Sequence, residues 1–255
     1  MDTKLKTAFS RIGGKSRLAE KIISVMPSHN KYVEAFIGGG SVFLSKPLVA
    51  ENVINDLETD IYHLWTDLRD VEKIEFSFDK DNVNKETFYR LKAQKEFENI
   101  TDRLFRNLYL SKISFGAKRE TYGFSENNRV FYGHKYIKNN LKNFQYKLGK
   151  TTIHNMDYKE IIKLYDSEDT LFYLDPPYSQ QAKMWKYNTP KMDMEDFINT
   201  LKGIKGKFIV SYDIADIEQF KDFFITEVDT IYSYQHKTIK DKKKKEVLIT
   251  NYEIK

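Results

Sequence analysis

The sequence contains no cysteine. Disulfide bonds, cysteine-ligated zinc, iron–sulfur clusters and thiol catalysis are therefore excluded. No apolar run approaches the roughly 18 residues that a membrane-spanning helix needs, and the N-terminal residues lack the apolar core of a signal peptide. Internal repeats and Pro/Gly/Ser-rich linkers are also missing. We therefore expect a protein of the cell interior that has no membrane partner.

The composition is that of a globular protein with a sizeable core. Hydrophobic residues make up 40% of the 255 residues, Phe and Tyr number 18 and 17, and 31% of the residues are charged. This length allows one main domain with at most one modest insertion. The net charge of +5 fits a polyanionic partner such as a nucleic acid without requiring one.

Short β-favouring segments alternate with helix-favouring segments along most of the chain. Strands are expected at Tyr32–Phe36, Val53–Ile54, Thr152–His154, Leu171–Leu174 and Phe208–Ser211, and an antiparallel pair at Phe224–Tyr234 and Val247–Tyr252. Helices are expected at Ser16–Met26, from about Ser41, and at Asp60–Leu68, Lys85–Phe97 and Asp102–Lys112. This alternation predicts an α/β fold with a doubly wound, mostly parallel sheet and a terminal antiparallel strand pair.

Residues 71–145 differ in composition from the rest of the chain. They are polar and mainly helix-favouring, and from Phe115 to Tyr136 they become rich in glycine, basic and aromatic residues. We interpret them as a mainly helical insertion into a domain formed by residues 1–70 and 146–255.

The first candidate site is the segment Tyr32–Phe36 followed by Gly38, Gly39 and Gly40. A strand that runs into a glycine-rich turn and then a helix brings backbone close to a ligand. Asp56 follows about 20 residues later at the end of the next strand, where an acidic residue can bind ribose hydroxyls. The glycine pattern differs from the G-x-G-x-x-G of dinucleotide sites. A tight strand–helix turn, with Asp56 as a helix cap, is the alternative.

The second candidate site is Asp175-Pro176-Pro177-Tyr178, directly after the apolar strand Leu171–Leu174. Open α/β sheets bind ligands at the carboxyl ends of their strands. Pro176 has no N–H, but its carbonyl can accept a hydrogen bond, so with the Asp175 carboxylate it forms two acceptors for one amino group. Tyr178 adds a ring on which a base can stack. A chance turn with a buried Asp cap is the alternative.

These motifs, taken in order, resemble those of the Dam-type DNA adenine-N6 methyltransferases over nearly the whole chain. The similar segments are Arg11–Lys15, Phe36–Gly40, Asn55-Asp56, Asn155–Tyr158, Asp175–Tyr178 and Glu246–Tyr252. The chain departs from the family pattern at Ile12, where the family usually has proline. The resemblance implies a sheet of the class I S-adenosylmethionine-dependent methyltransferase type.

The resemblance also implies roles for the matching residues. S-adenosylmethionine would be the methyl donor, with no metal, and its contacts would be Arg11, Lys15, Phe36, Gly38, Gly40, Asp56, Asp157, Tyr158 and Asp175. The catalytic motif would be Asp175, Pro176, Pro177 and Tyr178. The substrate would be an adenine flipped out of double-stranded DNA, on which Tyr178 would stack. We expect a cytoplasmic monomer that is associated with the nucleoid through DNA.

Recognition of the DNA sequence is expected to fall to residues 71–145. Lys118, Arg119 and Tyr122 lie in its most glycine- and aromatic-rich stretch and are candidates for contacts with phosphates, guanine edges or a base step. The alternative is a solvated charged loop. The lysine run at residues 242–245 is interpreted as a hairpin tip, with a phosphate-binding surface as the alternative.

Three other functions remain open at this point. One is methylation of cytosine N4 or of an RNA adenine, although relatives that act on cytosine tend to carry Ser in place of Asp175. Another is a catalytically silent DNA-binding module on the same fold. The third is a nicotinamide-dependent oxidoreductase, for which the Asp175–Tyr178 motif would have no purpose.

Overall fold

A seven-stranded sheet organises the fold. The computed structural model describes residues 3–9, 11, 13–79, 81–123, 133–177, 192–230 and 244–254. The strands in it are β1 (Lys31–Glu34), β2 (Glu51–Asn55), β3 (Thr152–His154), β4 (Thr170–Leu174), β5 (Lys207–Asp213), β6 (Phe224–Thr230) and β7 (Lys244–Thr250). Their order across the sheet is β3-β2-β1-β4-β5-β7-β6.

The pairing within the sheet is parallel at its centre and antiparallel at one end. β1 pairs in parallel with β2 and β4, and β4 pairs in parallel with β5. β7 runs antiparallel between β5 and β6. The expected mostly parallel sheet of an α/β fold, with its terminal antiparallel pair, is confirmed.

The chain order of the strands reverses between β1 and β4. From β1 the order proceeds through β2 to β3 in one direction, and from β4 it proceeds through β5 in the other. The register places Glu34, the last residue of β1, opposite Tyr173 of β4. In open α/β sheets this switch point leaves a crevice at the carboxyl ends of the strands, where ligands bind.

Apolar residues on the central strands form the core beneath that crevice. Val33, Phe172 and Phe208 are fully buried and belong to one hydrophobic cluster with Phe197 and Leu201 from a flanking helix. Since parallel strands are covered on both faces, their residues form continuous apolar runs, of which Leu171–Leu174 is the clearest. This is why the sequence located β4 within one residue.

Eight α-helices lie in the described part of the chain. They are α1 (Ala19–Ser24), α2 (Ser41–Ser45), α3 (Thr59–Asp70), α4 (Lys85–Ala93), α5 (Ile100–Ile113), α6 (Gly133–Leu148), α7 (Tyr158–Tyr165) and α8 (Met194–Lys202). Side-chain caps fix several of the starts: Asn84 accepts from Thr87 N before α4, and Asn99 accepts from Asp102 N before α5. None of the helices searched is long and apolar enough to cross a membrane.

Several expected boundaries were wrong. α1 is shorter than the predicted helix at 16–26, α4 ends at Ala93 because Gln94 is extended, and β1 ends at Glu34. α6 begins at Gly133, inside a stretch expected to be irregular. Lys244 and Lys245 pair with Thr230 and Asp229 in the β6–β7 ladder, so they are strand residues and not part of a hairpin tip. Residues 242 and 243 lie outside the described residues.

The chain divides into two compact units. The first unit comprises Met1–Ser16, Ile37–Leu48 and Asp56–Asn155, and the second unit comprises Arg17–Phe36, Val49–Asn55 and Met156–Lys255. Within the first unit, α3 packs against α5 and α6, and α4 packs against α5. The second unit contains β1, β2 and β4 to β7 with α1, α7 and α8. The domain boundaries that the sequence suggested differ from these units and stay a prediction.

Candidate active site

In the second unit, Asp175 follows directly after β4 at the switch point of the sheet. Its side chain is partly exposed, Pro176 is buried and Pro177 is exposed. Ala35 N donates to the Tyr173 carbonyl over 3.3 Å, so the end of β1 is fixed beside the end of β4. Tyr178 lies outside the described residues. The position of Asp175 is that of a ligand-binding residue in an open α/β sheet.

Polar groups are buried among the strands beneath Asp175. The Tyr173 hydroxyl lies 2.9 Å from Ser211 Oγ, and the Tyr32 hydroxyl donates to Glu34 Oε2 over 2.6 Å. Burial raises the pKa of Tyr173 well above its ordinary value, and the negative charge of Asp175 raises it further. The phenol therefore stays neutral and adds no negative charge beside the Asp175 carboxylate.

Phe36 and Tyr158, both expected to contact the cofactor, lie together in the second unit. Their ring centroids are 5.4 Å apart, and the Tyr158 ring also packs edge-on against Phe197 at 5.5 Å. Asp157 is the N-cap of α7, because its carboxylate accepts from Lys159 N over 2.9 Å. Its contact with the cofactor adenine stays a prediction, and its capping role is an additional one.

Asn55 is a site residue whose role the sequence did not indicate. Its side chain is buried; Nδ2 donates to the carbonyls of Ala35 (3.0 Å) and Met156 (2.9 Å), and Oδ1 accepts from Met156 N (3.0 Å). One amide thus ties the end of β2 to the ends of the neighbouring segments. The Asn-Asp pair at residues 55 and 56 was the only signal for it.

In the first unit, the glycine loop is shaped by positive backbone angles and by a tryptophan. φ is +44° at Gly38 and +66° at Gly40. A Cβ added at Gly40 would lie 2.7 Å from two atoms of the Trp65 ring, and Trp65 Nε1 donates to the Gly38 carbonyl over 3.1 Å. Only glycine fits at residue 40, and Trp65, which the sequence did not single out, holds the loop in place.

Asp56 is bonded to the same loop. Its Oδ2 accepts from Gly38 N over 2.9 Å, and its Oδ1 accepts from Glu58 N over 3.0 Å. Glu58 occupies the N-cap position of α3, so Asp56 lies two residues before that position and is not the N-cap residue. Each carboxylate oxygen retains a lone pair that can accept from a ribose hydroxyl. Burial raises the pKa of Asp56, although the positive charge of Arg11 opposes this shift.

The basic residues of the N-terminal motif are also held in the first unit. Lys15 is 4% exposed and its Nζ donates to the Gly13 carbonyl over 2.8 Å, so it is not a solvated surface lysine. Arg11 forms an ion pair with Glu58 at 2.6 Å. Their contacts with the methionine end of the cofactor stay predictions.

The loop of the expected recognition region, residues 114–123, is closed by backbone hydrogen bonds. Phe115 N donates to the Thr121 carbonyl over 2.8 Å, and Ser114 and Tyr122 form an antiparallel bridge. The Phe115 side chain is 67% exposed, whereas the Tyr122 ring packs edge-on against Phe88 at 5.9 Å. Phe115 is therefore more accessible than Tyr122, which the sequence analysis singled out for contact with a base step and whose DNA contact stays a prediction.

Arg119 does not present its guanidinium to solvent. The side chain is 11% exposed and donates to Glu58 Oε1 (3.2 Å), Asp60 Oδ2 (2.9 Å) and Asn107 Oδ1 (2.8 Å). A contact with a phosphate or a guanine would have to compete with these bonds, and the DNA contact expected of Arg119 stays a prediction. Lys118 is partly exposed, and its DNA contact stays a prediction.

Comparison with known proteins identifies a family and several relatives. The family model of the D12 class N6 adenine-specific DNA methyltransferases matches residues 12–246. The modification methylase StsI of Streptococcus sanguinis is 23% identical, over 98% of this chain and 43% of its own length. The type II methyltransferase M1.LlaDCHI of Lactococcus lactis subsp. cremoris is 26% identical, over 94% and 93%. The DNA adenine methylase of Vibrio cholerae is 27% identical, over 66% and 63%.

Solved structures of similar overall arrangement include two methyltransferases. The precorrin-6y C5,15-methyltransferase of Geobacter metallireducens has a TM-score of 0.46 at 9% identity, over 99% of this chain and 96% of that one. An S-adenosylmethionine-dependent O-methyltransferase of Thermotoga maritima has a TM-score of 0.43 at 9% identity, over 95% and 66%.

Proposed function

Because the chain belongs to the D12 class of N6 adenine-specific DNA methyltransferases, we propose that it transfers a methyl group from S-adenosylmethionine to the N6 amino group of an adenine in double-stranded DNA. The observation that carries this proposal is the position of Asp175 and Pro176 directly after β4, at the switch point of the sheet. The family match also favours adenine over cytosine N4 and DNA over RNA. Such a substrate implies a cytoplasmic enzyme associated with the nucleoid.

Several of the candidate cofactor residues have chemistry that suits the methyl donor. In the first unit, the Asp56 carboxylate retains acceptor sites for ribose hydroxyls, and the buried Lys15 ammonium suits a carboxylate. Because Gly40 has no side chain, the loop packs directly against the Trp65 ring. In the second unit, Phe36 and Tyr158 offer adjacent aromatic faces. When bound, S-adenosylmethionine supplies a methyl group activated by its sulfonium.

Asp175 and Pro176 would prepare the amino group of the target adenine. The lone pair of that nitrogen is delocalised into the purine ring, which makes the free base a poor nucleophile. Hydrogen bonds from its two N–H groups to the Asp175 carboxylate and the Pro176 carbonyl favour a tetrahedral nitrogen with a localised lone pair. As the new N–C bond forms, the bond between the methyl carbon and the sulfonium sulfur would break and leave a neutral thioether, and the nitrogen would then give up one proton to solvent. Asp175 therefore acts as an acceptor and orienting group.

The target adenine must leave the duplex to reach Asp175. Unstacking a base costs a few kcal/mol, and an aromatic side chain that fills the gap or stacks on a base recovers about 1–3 kcal/mol. Phe115 is the described aromatic residue of the recognition loop that is most exposed. We assign Phe115 the role of filling the gap that the extruded base leaves in the duplex. Tyr178, proposed to stack on the extruded base, lies outside the described residues.

Long-read sequencing of DNA from cells that express the protein tests the proposal. We expect N6-methyladenine at one short recurring sequence, and none in cells that express Asp175→Ala. The purified variant should retain its fold and lose incorporation of tritiated methyl groups, while Asp222→Ala, at an exposed surface ion pair, should keep it. Modified cytosine instead of adenine would overturn the proposal. Stabilisation of the wild type by S-adenosylmethionine without any modified base would indicate a silent module.

A further inference from the structure

A network of three arginines and two carboxylates lies behind the recognition loop in the first unit. Glu58 accepts from Arg11 on Oε2 at 2.6 Å and from Arg119 on Oε1 at 3.2 Å. Asp60 accepts from Arg119 at 2.9 Å and from Arg106 at 2.5 Å. Arg119 thus bridges both carboxylates, and Glu58 bridges two arginines.

The two arginines bound to Asp60 are largely buried, whereas the Glu58 and Asp60 side chains are 29% and 38% exposed. The side chains of Arg106 and Arg119 are 7% and 11% exposed. Burial alone would raise the pKa of Asp60, but the charges of Arg119 and Arg106 outweigh this effect and hold the pKa below its ordinary value. Asn107 Oδ1 accepts from both of these arginines. Charged hydrogen bonds in such a place fix side-chain geometry more firmly than exposed pairs do.

At one end, the network contacts residues that are expected to bind the cofactor. Glu58 N donates to the Asp56 carboxylate, which in turn accepts from Gly38 N. A Cβ added at Gly38 would lie 3.5 Å from Arg11 Cδ, so Arg11 packs against the glycine loop. Any shift of Asp56 or Arg11 on cofactor binding would therefore reach Glu58.

The other end of the network belongs to the recognition loop. Arg119 has φ = +63° and Ala117 has φ = +56°, which is the left-handed region that side chains other than glycine rarely adopt. Such a backbone persists only where its surroundings hold it. Arg119 N donates to Ser114 Oγ over 2.8 Å, beside the exposed Phe115, and the guanidinium anchors the same residue to Glu58 and Asp60.

We propose that Arg119 is a positioning residue that couples the cofactor loop to the recognition loop through Glu58, so that cofactor binding strengthens DNA binding. The proposal rests on the proposed methyl transfer to DNA. It replaces the DNA contact that the sequence suggested for Arg119. Since coupling between two binding sites is reciprocal, DNA should strengthen cofactor binding by the same factor.

The test is DNA affinity with and without S-adenosylhomocysteine, the demethylated form of the donor, which cannot react. For the wild type we expect tighter DNA binding with the compound present, by roughly five- to a hundredfold. Arg119→Lys keeps the charge but loses the forked donor geometry, and Glu58→Gln keeps an acceptor but loses the charge. In both variants the ratio of the DNA affinity with the compound to the affinity without it should fall towards one. The double variant should lower this ratio no further than either single variant does.

Lys92→Ala is the matched control. Lys92 ties the same loop by donating to Glu120 Oε2 at 2.6 Å but has no bond to Glu58. This variant should keep the wild-type ratio. If Arg119→Lys weakened DNA binding equally with and without the compound, Arg119 would be a DNA contact and the proposal would be overturned. A wild-type ratio of one, or an undiminished ratio in a folded Glu58→Gln protein, would also overturn it. Failure of the wild type to bind either ligand would instead contradict the proposed function.

Discussion

At the scale of single residues, the conflict between burial and charge is clearest at Asp56. The carboxylate accepts from two backbone N–H groups, yet burial raises its pKa above the ordinary value of about 3.9. Because the folded-state pKa is the higher one, the ionised form costs stability at neutral pH; this cost shrinks as the pH falls through the folded-state pKa and is gone below the unfolded value of about 3.9. A ribose that donates to the carboxylate would recover part of the cost.

Cofactor affinity should therefore depend on pH through Asp56. We expect the affinity for S-adenosylhomocysteine, measured by calorimetry, to weaken as the pH falls through the raised pKa of Asp56, hence at a higher pH than an ordinary aspartate would give. Asp56→Ala should lose about 1.5–3 kcal/mol of binding at neutral pH, a ten- to hundredfold effect. Asp56→Asn should flatten the pH profile, and Asp222→Asn should leave it unchanged. Unaltered affinity in Asp56→Ala would mean that another residue binds the ribose.

Gly40 allows a sharper test of the glycine loop. Gly40→Ala places a methyl group 2.7 Å from the Trp65 ring at a φ of +66°, so both packing and backbone oppose it. We expect a cost of roughly 1–3 kcal/mol in the free energy of unfolding, measured with denaturant, and a loss of cofactor affinity. Gly203→Ala is the control, since φ there is −84° and the added Cβ would lie at ordinary contact distance. Equal effects of the two substitutions would contradict this account.

The sequence predicted those site residues whose chemistry is visible in a short motif. Asp175 after an apolar strand, the glycine turn and Asp56 all lie where the alternation of strands and helices indicated. Trp65 and Asn55 were missed, because a buried indole or amide that supports a loop has no local pattern of its own. The partners of Arg119 could not be predicted for a related reason: the acceptors of its guanidinium are 12 to 61 residues away in the chain.

At the scale of the helices and strands, the sequence predicted the bounds of the buried central strands most accurately. The strands β4 and β5 are buried over all or most of their length and were placed within one or two residues. The helix α6 was missed, because it begins directly after a stretch of glycine and charged residues, which favour loops. Its apolar residues, among them Ile137, Leu141, Phe144 and Leu148, recur at helical spacing and are buried. This helical spacing is present in the sequence, but the glycine, basic and aromatic residues from Phe115 to Tyr136 favour an irregular structure.

Asp157 tests whether a cap can also be a ligand contact. It begins α7 with a capping box, in which its carboxylate accepts from the backbone and Glu160 accepts from Asp157 N. Asp157→Ala should lower the free energy of unfolding by about 0.5–2 kcal/mol. Asp157→Asn should restore most of that stability, because asparagine is an equally good cap. Calorimetry with S-adenosylhomocysteine then separates the roles: weaker binding in the stable Asn variant indicates a cofactor contact, and unchanged binding leaves Asp157 as a cap alone.

At the scale of the whole molecule, the net charge of +5 does not show which basic residues are already paired with carboxylates. Arg11, Arg103, Arg106 and Arg119 are all engaged with carboxylates inside the first unit. Their planar forks suit such pairs, whereas lysines favour solvent or phosphate as point charges. These four arginines are therefore held within the first unit, and we expect exposed lysines to contribute to the attraction to the DNA backbone.

Lys118 is the lysine that the loop places next to the Phe115–Ala117 turn, and we expect it to contact a phosphate. A single ammonium lacks the paired donors that a base edge requires for strong discrimination. Lys118→Ala should therefore weaken binding equally on all DNA sequences and reduce the slope of log affinity against log salt by about 0.9. Binding is measured at several salt concentrations on specific and random duplexes, with Lys163→Ala on α7 as the control. Loss of affinity for the specific duplex alone would show that Lys118 reads a base, and an unchanged slope with unchanged affinity would place the DNA elsewhere on the protein.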